Sequence, residues 1–434
     1  MSLACIVSII VLIVVLLVGA PIPFAFMGAI LSIVMIGGYD YSFLVPYGYA
    51  SAGTILLIAI PMFILAGSIM EKSGIGEAIV NLADLFVGRI KGGLCIVMTI
   101  ACALFGAVSG SGLATLSCIG SIMLPRMYAA GYPRGVSSAL ISSASLLGLL
   151  IPPSMNMILF AFVGGQSVLA CFLATVIPGI ILVIFLSGTS VFLLRKDPNI
   201  QLPPRIEKGQ RAKHYSKSIL GSIPAMLAPV IILGGIYSGM MTPTEAAAIA
   251  VLYSIPVGWF VYKGLTLKTL KEGFIYSAKT AGAVLTMLCC VMMLSRLYVM
   301  EQLPRAIIDG LFSISDNPQI LIIFVNIFLI IIGMLMDDTS AILLTTPIML
   351  PVVTALGVEP IHYAAIMAIN LGLGCVTPPT APFLYFGSRV GGAPINEMLK
   401  PTLWYIFCAW IPTLIITTYI PKLALFLPTM FGYL

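Results

Sequence analysis

Four stretches of this chain run for 16 to 27 residues without a charge: Leu3–Gly19, Ile55–Met70, Val168–Leu194 and Ile320–Met336. An α-helix needs ~20 apolar residues to cross a bilayer. Unbroken runs of this kind lack the polar–apolar alternation of a membrane β-barrel. Helices that satisfy their own backbone hydrogen bonds are the spanning solution that remains. Composition agrees, with 60% hydrophobic and 8% charged residues and a mean hydropathy of +1.14, against about 25% charged residues in a soluble domain. A soluble enzyme and a disordered chain are both excluded, and an all-α polytopic membrane protein is expected. Met1–Val7 holds no basic residue and Gly19-Ala20-Pro21-Ile22-Pro23 is a poor cleavage site, so Leu3–Gly19 reads as a retained helix rather than a signal peptide.

The formal charge of +6 is informative by position. Arg195, Lys196, Arg205, Lys208, Arg211, Lys213 and Lys217 make one long basic connection, which the positive-inside rule puts in the cytoplasm. Lys72, Arg89, Lys91, Arg126 and Arg134 mark earlier loops on that side, and Lys263, Lys268 and Lys271 later ones. Tyr39–Ala50 carries no Lys or Arg and Glu301–Pro318 little, so both are expected outside, as are both termini. The nine cysteines show no C-x-x-C spacing and read as small apolar packing residues. Two separated histidines, His214 and His362, give no metal or His-dependent catalytic pattern.

The basic connection splits the chain into comparable halves that repeat. Met123-Leu124-Pro125 returns as Met349-Leu350-Pro351 and Pro152-Pro153 as Pro378-Pro379, both 226 residues later. Gly148 and Gly374, and Phe160 and Phe386, keep the same spacing. Val163-Gly164-Gly165 returns as Val390-Gly391-Gly392, and Met70-Glu71 as Met300-Glu301. The charge pattern puts Met70-Glu71 inside and Met300-Glu301 outside. The repeats are therefore inverted, a hallmark of secondary transporters.

The 41 Gly and 29 Pro, unusual in so apolar a chain, concentrate their information in two devices per half. One is a re-entrant hairpin with a polar tip. Gly93–Val108 leads through Ser109-Gly110-Ser111-Gly112 into Leu113–Met127, and Ile320–Leu335 leads through Met336-Asp337-Asp338-Thr339-Ser340 into Ala341–Pro351. The other is a helix broken by a Pro pair, in Gly135–Leu150 followed by Ile151–Asn156, and in His362–Gly374 followed by Cys375–Thr380. Proline lacks an N–H, so the carbonyls of Gly148, Leu149, Gly374 and Cys375 are expected to lose their helical donors. Orphaned buried carbonyls cost about 1–3 kcal/mol each and call for a cation, substrate or water. The carbonyl end of such a break suits Na⁺ and the amide end an anion. The hydroxyls of Ser109, Ser111, Thr115, Ser154, Thr339, Ser340, Thr377 and Thr380 are oxygen ligands of the kind Na⁺ takes.

Each signal has a plainer reading. A Pro kinks many membrane helices, Ser109–Gly112 could serve helix packing, and Asp337 and Asp338 could cap the second hairpin arm. Carboxylates at membrane depth favour function. Arg296, inside Val284–Met300, could hold a substrate carboxylate, form a salt bridge or snorkel outward. Glu245 after Thr242-Pro243-Thr244 reads as a helix cap.

At these residues the chain resembles the large membrane subunit (M subunit) of tripartite ATP-independent periplasmic (TRAP) transporters, across essentially its whole length. The resemblance rests on Phe105-Gly106-Ala107-Val108-Ser109-Gly110-Ser111-Gly112-Leu113-Ala114-Thr115, Ile119-Gly120, Met123-Leu124-Pro125, Ile151-Pro152-Pro153-Ser154, Thr242-Pro243-Thr244-Glu245-Ala246-Ala247 and Val376-Thr377-Pro378-Pro379-Thr380. It implies Na⁺-driven symport of an organic acid, a C4-dicarboxylate or a sialic acid, with overall similarity leaning to the sialic-acid branch. It also implies a periplasmic substrate-binding protein, a small four-helix membrane subunit, the bacterial inner membrane, and an elevator-type fold. No small-subunit segment precedes Leu3, so the unfused form is expected.

Carried onto this sequence, Ser109, Gly110, Ser111, Gly112 and Thr115 with Gly148, Leu149, Pro152 and Ser154 would form one Na⁺ site. Asp337, Asp338, Thr339 and Ser340 with Gly374, Cys375, Thr377, Pro378 and Thr380 would form the second. Substrate would lie between the tips, against Ser111, Ser154, Asn156, Asp338 and Thr380, with Arg296 as a further candidate. Residues 1–92 would be the scaffold and arm of the first repeat, and 93–166 its hairpin and broken helix in a transport domain. Residues 167–317 would hold the basic loop and the second scaffold and arm, 318–392 the second transport unit, and 393–434 a C-terminal scaffold helix. The rivals are a stand-alone ion-coupled carboxylate transporter, a channel, which needs no inverted repeat, and a membrane enzyme, for which no nucleophile–base pair is present. No organic cofactor, enzymatic activity or nucleic-acid partner is expected, and no G-x-x-x-x-G-K-[ST] loop for ATP occurs.

Overall fold

The computed structural model describes residues 2–86, 90–201 and 208–433. Arg89 and Arg205 lie outside the described residues, as do the side chains of Lys208, Arg211, Lys213, His214 and Lys217. Among the described residues all regular secondary structure is helical. The first half comprises α1 (Leu3–Leu17), α2 (Ile22–Gly37), α3 (Leu44–Ala52), α4 (Ala59–Lys72), α5 (Ile75–Phe86), α6 (Gly93–Ser109), α7 (Gly112–Ala129), α8 (Arg134–Ala144), α9 (Leu147–Leu150), α10 (Met155–Gly164) and α11 (Val168–Leu194). The second comprises α12 (Lys208–Tyr237), α13 (Pro243–Pro256), α14 (Leu267–Met300), α15 (Leu303–Phe312), α16 (Pro318–Leu335), α17 (Asp338–Ala355), α18 (Pro360–Val376), α19 (Pro382–Gly391), α20 (Ile395–Tyr405), α21 (Ile411–Tyr419) and α22 (Pro421–Met430). Among the described residues eight helices are long and apolar enough to cross a membrane, or nine if α8–α9 and α10 count as one bent span.

Local signals set the boundaries. Thr242 and Glu245 form a reciprocal capping box at the start of α13, as the sequence suggests. Glu359 caps α18 by accepting from the N–H groups of Ile361 and His362, at 2.7 and 3.0 Å. Ser111 and Asp337, 226 positions apart, are the N-caps of α7 and α17. The hairpin turns are correspondingly tight. Gly110 takes φ +62, a left-handed conformation that glycine adopts without steric penalty, and Met336 stays extended.

Packing follows the inverted repeat. In each half the first hairpin arm packs on the first part of its own broken helix, α6 on α8–α9 and α16 on α18. The part after each break packs on the second arm of the other repeat's hairpin, α10 on α17 and α19 on α7. The arms α4 and α14 lie against each other and run in opposite senses. Glu71 ends α4 beside the start of α14, where Lys72 and Glu272 pair at 3.0 Å, whereas Glu301 ends α14 at the far end, where it accepts a hydrogen bond from Tyr39. Helices α1–α4 and α12–α14 form one group and α6–α11 with α16–α22 the other, while α5 and α15 pack on both, α5 on α12 and α6 and α15 on α14 and α17.

That grouping departs from the expected one in two places. Helix α11 packs on α6, α10, α18 and α22, so it belongs with the hairpins rather than with the arm and scaffold of 167–317. The 393–434 segment holds one continuous helix over Ile395–Tyr419 and a separate short helix after it. The segment comprises α20, a π-turn at Ile406–Trp410, α21 and α22, and it packs on α8, α11 and α18. Charge placement reports which side a loop is on and carries no information about which apolar faces meet. The first broken helix is also interrupted a turn early, at Ser145-Leu146 between α8 and α9.

Candidate functional site

The first site is assembled where the α6–α7 tip meets the α9–α10 break. Thr115 Oγ1 donates to Ser111 O at 2.8 Å, and Ser109 Oγ lies 3.3 Å from Thr115 Oγ1 and 3.4 Å from Ser111 O. This oxygen cluster faces Gly148, where an added Cβ would sit 3.1 Å from both Ser111 O and Thr115 Oγ1. Gly106 allows the approach, because a Cβ there would come within 2.6 Å of Gly148 Cα. At the break, Ile151 N–H returns to Leu147 O at 2.8 Å, and both Pro152 and Pro153 lack donors. Among the described residues no donor reaches the carbonyls of Gly148 and Leu149. Tip and break are tied by Met155 N–H to Gly110 O at 3.4 Å, and Gly110 has no room for a Cβ, which would lie 2.8 Å from Pro153 O. Gly112 packs against the Phe383 ring of the other repeat. Ser154, the N-cap of α10, is fully buried and its hydroxyl has no hydrogen-bond partner among the described residues.

The second site repeats the backbone and changes the side chains. Gly333 and Gly374 replace the Gly106–Gly148 contact, a Cβ on Gly374 falling 2.7 Å from Gly333 Cα. Cys375 lies against the Asp338 backbone, which ties this break to its tip. Asp337 accepts from the Ser340 N–H and hydroxyl, so it caps α17. Asp338 instead accepts from Asn156 Nδ2 at 2.6 Å, and Thr339 Oγ1 donates to Asn156 Oδ1 at 3.4 Å. Asn156 sits on α10, just past the first break. A buried amide of one repeat thereby holds the carboxylate tip of the other, and the two candidate sites are cross-linked.

Three expectations need correction. The Gly374 carbonyl is not orphaned: Thr377 N–H reaches it at 3.0 Å in a tightened last turn, whereas among the described residues no donor reaches Cys375 O. The Thr377 and Thr380 hydroxyls already donate to Leu373 O and Met334 O, so they offer only remaining lone pairs. Arg296 is not at the site. It is exposed, with its guanidinium 6.0 Å from the centre of the Tyr47 ring, where cation–π attraction and outward reach satisfy it. The residues sequence reasoning missed are on α4 and α14. A cavity of ≈ 50 Å³ beside the first tip is lined by Ser68, Glu71 and Thr280 together with Ser109 and Ser111. Met70-Glu71 was legible only as a repeat marker.

Two inverted hairpin-and-broken-helix units in a polytopic helical protein define an integral membrane transporter permease. The family model for the tripartite ATP-independent periplasmic transporter, DctM component, matches residues 9–423. The chain is 35% identical over 376 residues to the C4-dicarboxylate TRAP transporter large permease protein DctM of Pseudomonas aeruginosa, covering 87% of each. It is 35% identical over 378 residues to the sialic acid TRAP transporter large permease protein SiaM of Vibrio cholerae, again 87% of each. It is 32% identical to the isethionate TRAP transporter permease protein DctMQ of Oleidesulfovibrio alaskensis, over 95% of this chain and 64% of that one. In fold it is similar to the YdaH transporter of Alcanivorax borkumensis, with a TM-score of 0.61 over 88% of this chain and 89% of that one at 12% identity. The chain belongs to the DctM family and is a TRAP transporter large permease.

Proposed function

We propose that this permease is the Na⁺-coupled, elevator-type subunit of a bacterial inner-membrane importer for an organic acid. The observation that carries the reading is the pair of inverted helix breaks, each facing a hairpin tip. At the first, two carbonyls without donors stand beside the oxygens of Ser109, Ser111 and Thr115. At the second, the Cys375 carbonyl lacks a donor among the described residues, and the Cys375 side chain lies against the backbone of the tip residue Asp338. Carbonyl ends of broken helices coordinate Na⁺, and amide ends receive anions. The substrate anion is assigned to the start of α10, where the buried Ser154 hydroxyl has no partner among the described residues and Asn156 is near the Asp338 tip. The three relatives are named for C4-dicarboxylate, sialic acid and isethionate, all organic anions, which supports that class. In this reading, a periplasmic binding protein delivers the substrate and a small membrane subunit braces α1–α4 and α12–α14. The hairpin group slides against that brace.

Reconstituted in proteoliposomes, the chain is expected to take up labelled succinate or sialic acid only with an inward Na⁺ gradient, its binding protein and its small subunit. Uptake by the chain alone, or without the gradient, would overturn the proposal.

A further inference from the structure

The arm residue Glu71 has no role in either ion site, yet it faces the first one. The ≈ 50 Å³ cavity beside the α6–α7 tip is shared by Glu71, Ser68 and Thr280 on the arms and by Ser109, Gly110 and Ser111 on the hairpin. The approach is close, since a Cβ on Gly67 of α4 would lie 2.8 Å from Ser109 O. Glu71 is half-buried, and among the described residues no hydrogen bond or ion pair reaches its carboxylate. Its neighbour Lys72 is held by Glu272 at 3.0 Å. Ser277, on α14 between the cavity-lining Tyr276 and Thr280, is buried with a hydroxyl that has no partner among the described residues. A half-buried carboxylate in apolar surroundings is costly without a countercharge, and the cation that acts on it among the described residues, Lys72, is already paired with Glu272.

The other end of the inverted pair is different. Glu301, which stands to α14 as Glu71 stands to α4, accepts a hydrogen bond from Tyr39 at 2.8 Å. The end that carries Glu71 also carries Lys72 and lies beside the 262–265 turn, as the contacts of Gly74 with Tyr262 and of Gly264 with Ser73 show. Lys263, Lys268 and Lys271 are in or next to that turn, and the positive-inside rule makes this face cytoplasmic. From these observations we infer that Glu71, with Ser68 and Thr280, is an exit site on the static arm that receives the monovalent cation as it leaves Ser109 and Ser111 for the cytoplasm. This rests on the Na⁺-coupled reading above. A hydroxyl-lined carboxylate at the cavity wall lowers the barrier for a cation to leave the hairpin, and it is the first group that cytoplasmic Na⁺ meets when it re-enters.

The test uses the permease with its small subunit and binding protein, in proteoliposomes whose lumen corresponds to the cytoplasm. Luminal Na⁺ is titrated as an inhibitor of uptake, and external Na⁺ as its driver. Glu71→Gln removes a charge-assisted contact and is expected to raise the luminal Na⁺ for half-inhibition about tenfold, with less than about a twofold change in external half-saturation. Thr280→Val, which removes one hydroxyl, is expected to move the luminal value the same way by about threefold, and it carries the test should the Gln variant fail to insert. An unchanged luminal value, or equal shifts on the two faces, overturns the inference. Wild-type uptake that ignores Na⁺ altogether overturns the underlying transport reading instead, so the two failures are distinguishable.

Discussion

Gly148→Ala is expected to cut Na⁺-driven uptake by about one to two orders of magnitude while the protein still inserts and folds. The added methyl would sit 3.1 Å from both Ser111 O and Thr115 Oγ1, which is tighter than ordinary contact. It fills the space that a cation coordinated by those oxygens needs. Overpacking of this kind costs about 1–3 kcal/mol, or roughly five- to 150-fold in an equilibrium constant. The cost should fall on the ion-bound state, because the methyl competes for the ion's own volume. Gly188→Ala is the control: it lies on α11 with nothing within 4 Å of its added Cβ. The check is the Na⁺ concentration for half-maximal uptake, read beside thermal unfolding in detergent. A Gly148→Ala protein with the wild-type half-saturation would remove the first site from where we have put it.

The second large effect is expected at the Asn156–Asp338 link. Asn156→Asp sets one carboxylate against another across a 2.6 Å contact, and the pair can hold together only by taking up a proton. Transport should be lost and the thermal midpoint should fall. Adding Asp338→Asn reverses the polarity of the hydrogen bond and restores an amide–carboxylate pair. The double variant is therefore expected to recover stability, with a coupling energy of about 1.5–3 kcal/mol, the range for hydrogen bonds to charged groups. Transport should not recover fully, because the charge has moved from the hairpin tip to the broken helix. Additive stability losses would show that Asn156 and Asp338 do not act as a unit.

Much of this arrangement is legible in the sequence because Gly and Pro act locally. The Pro152-Pro153 and Pro378-Pro379 breaks, the tip at Ser109–Gly112 and the capping box at Thr242 are each fixed by a few residues whose backbone constraints hold in any context. The inverted relation follows from counting charged loops. What stays hidden depends on tertiary approach. Whether Gly374 O is orphaned turns on a slight tightening that lets Thr377 N–H reach it, and the repeat partner of Thr377, Ile151, bonds to Leu147 instead. Arg296 reads the same in a sequence whether it points into a site or out to the Tyr47 ring. The placement of α11 and of 393–434 with the hairpin group is decided by the fit of apolar faces, which hydropathy does not distinguish. Glu71 looks like a helix-end acid until the cavity beside Ser109 is seen.

The central claim is that two inverted, oxygen-lined breaks bind Na⁺ together. Its most direct test is the Na⁺ titration of the initial uptake rate in proteoliposomes holding the permease, its small subunit and saturating binding protein. Two coupled sites predict a sigmoidal curve with a Hill coefficient above 1, bounded by the number of sites. Uptake that is hyperbolic in Na⁺, or independent of it, would contradict the claim.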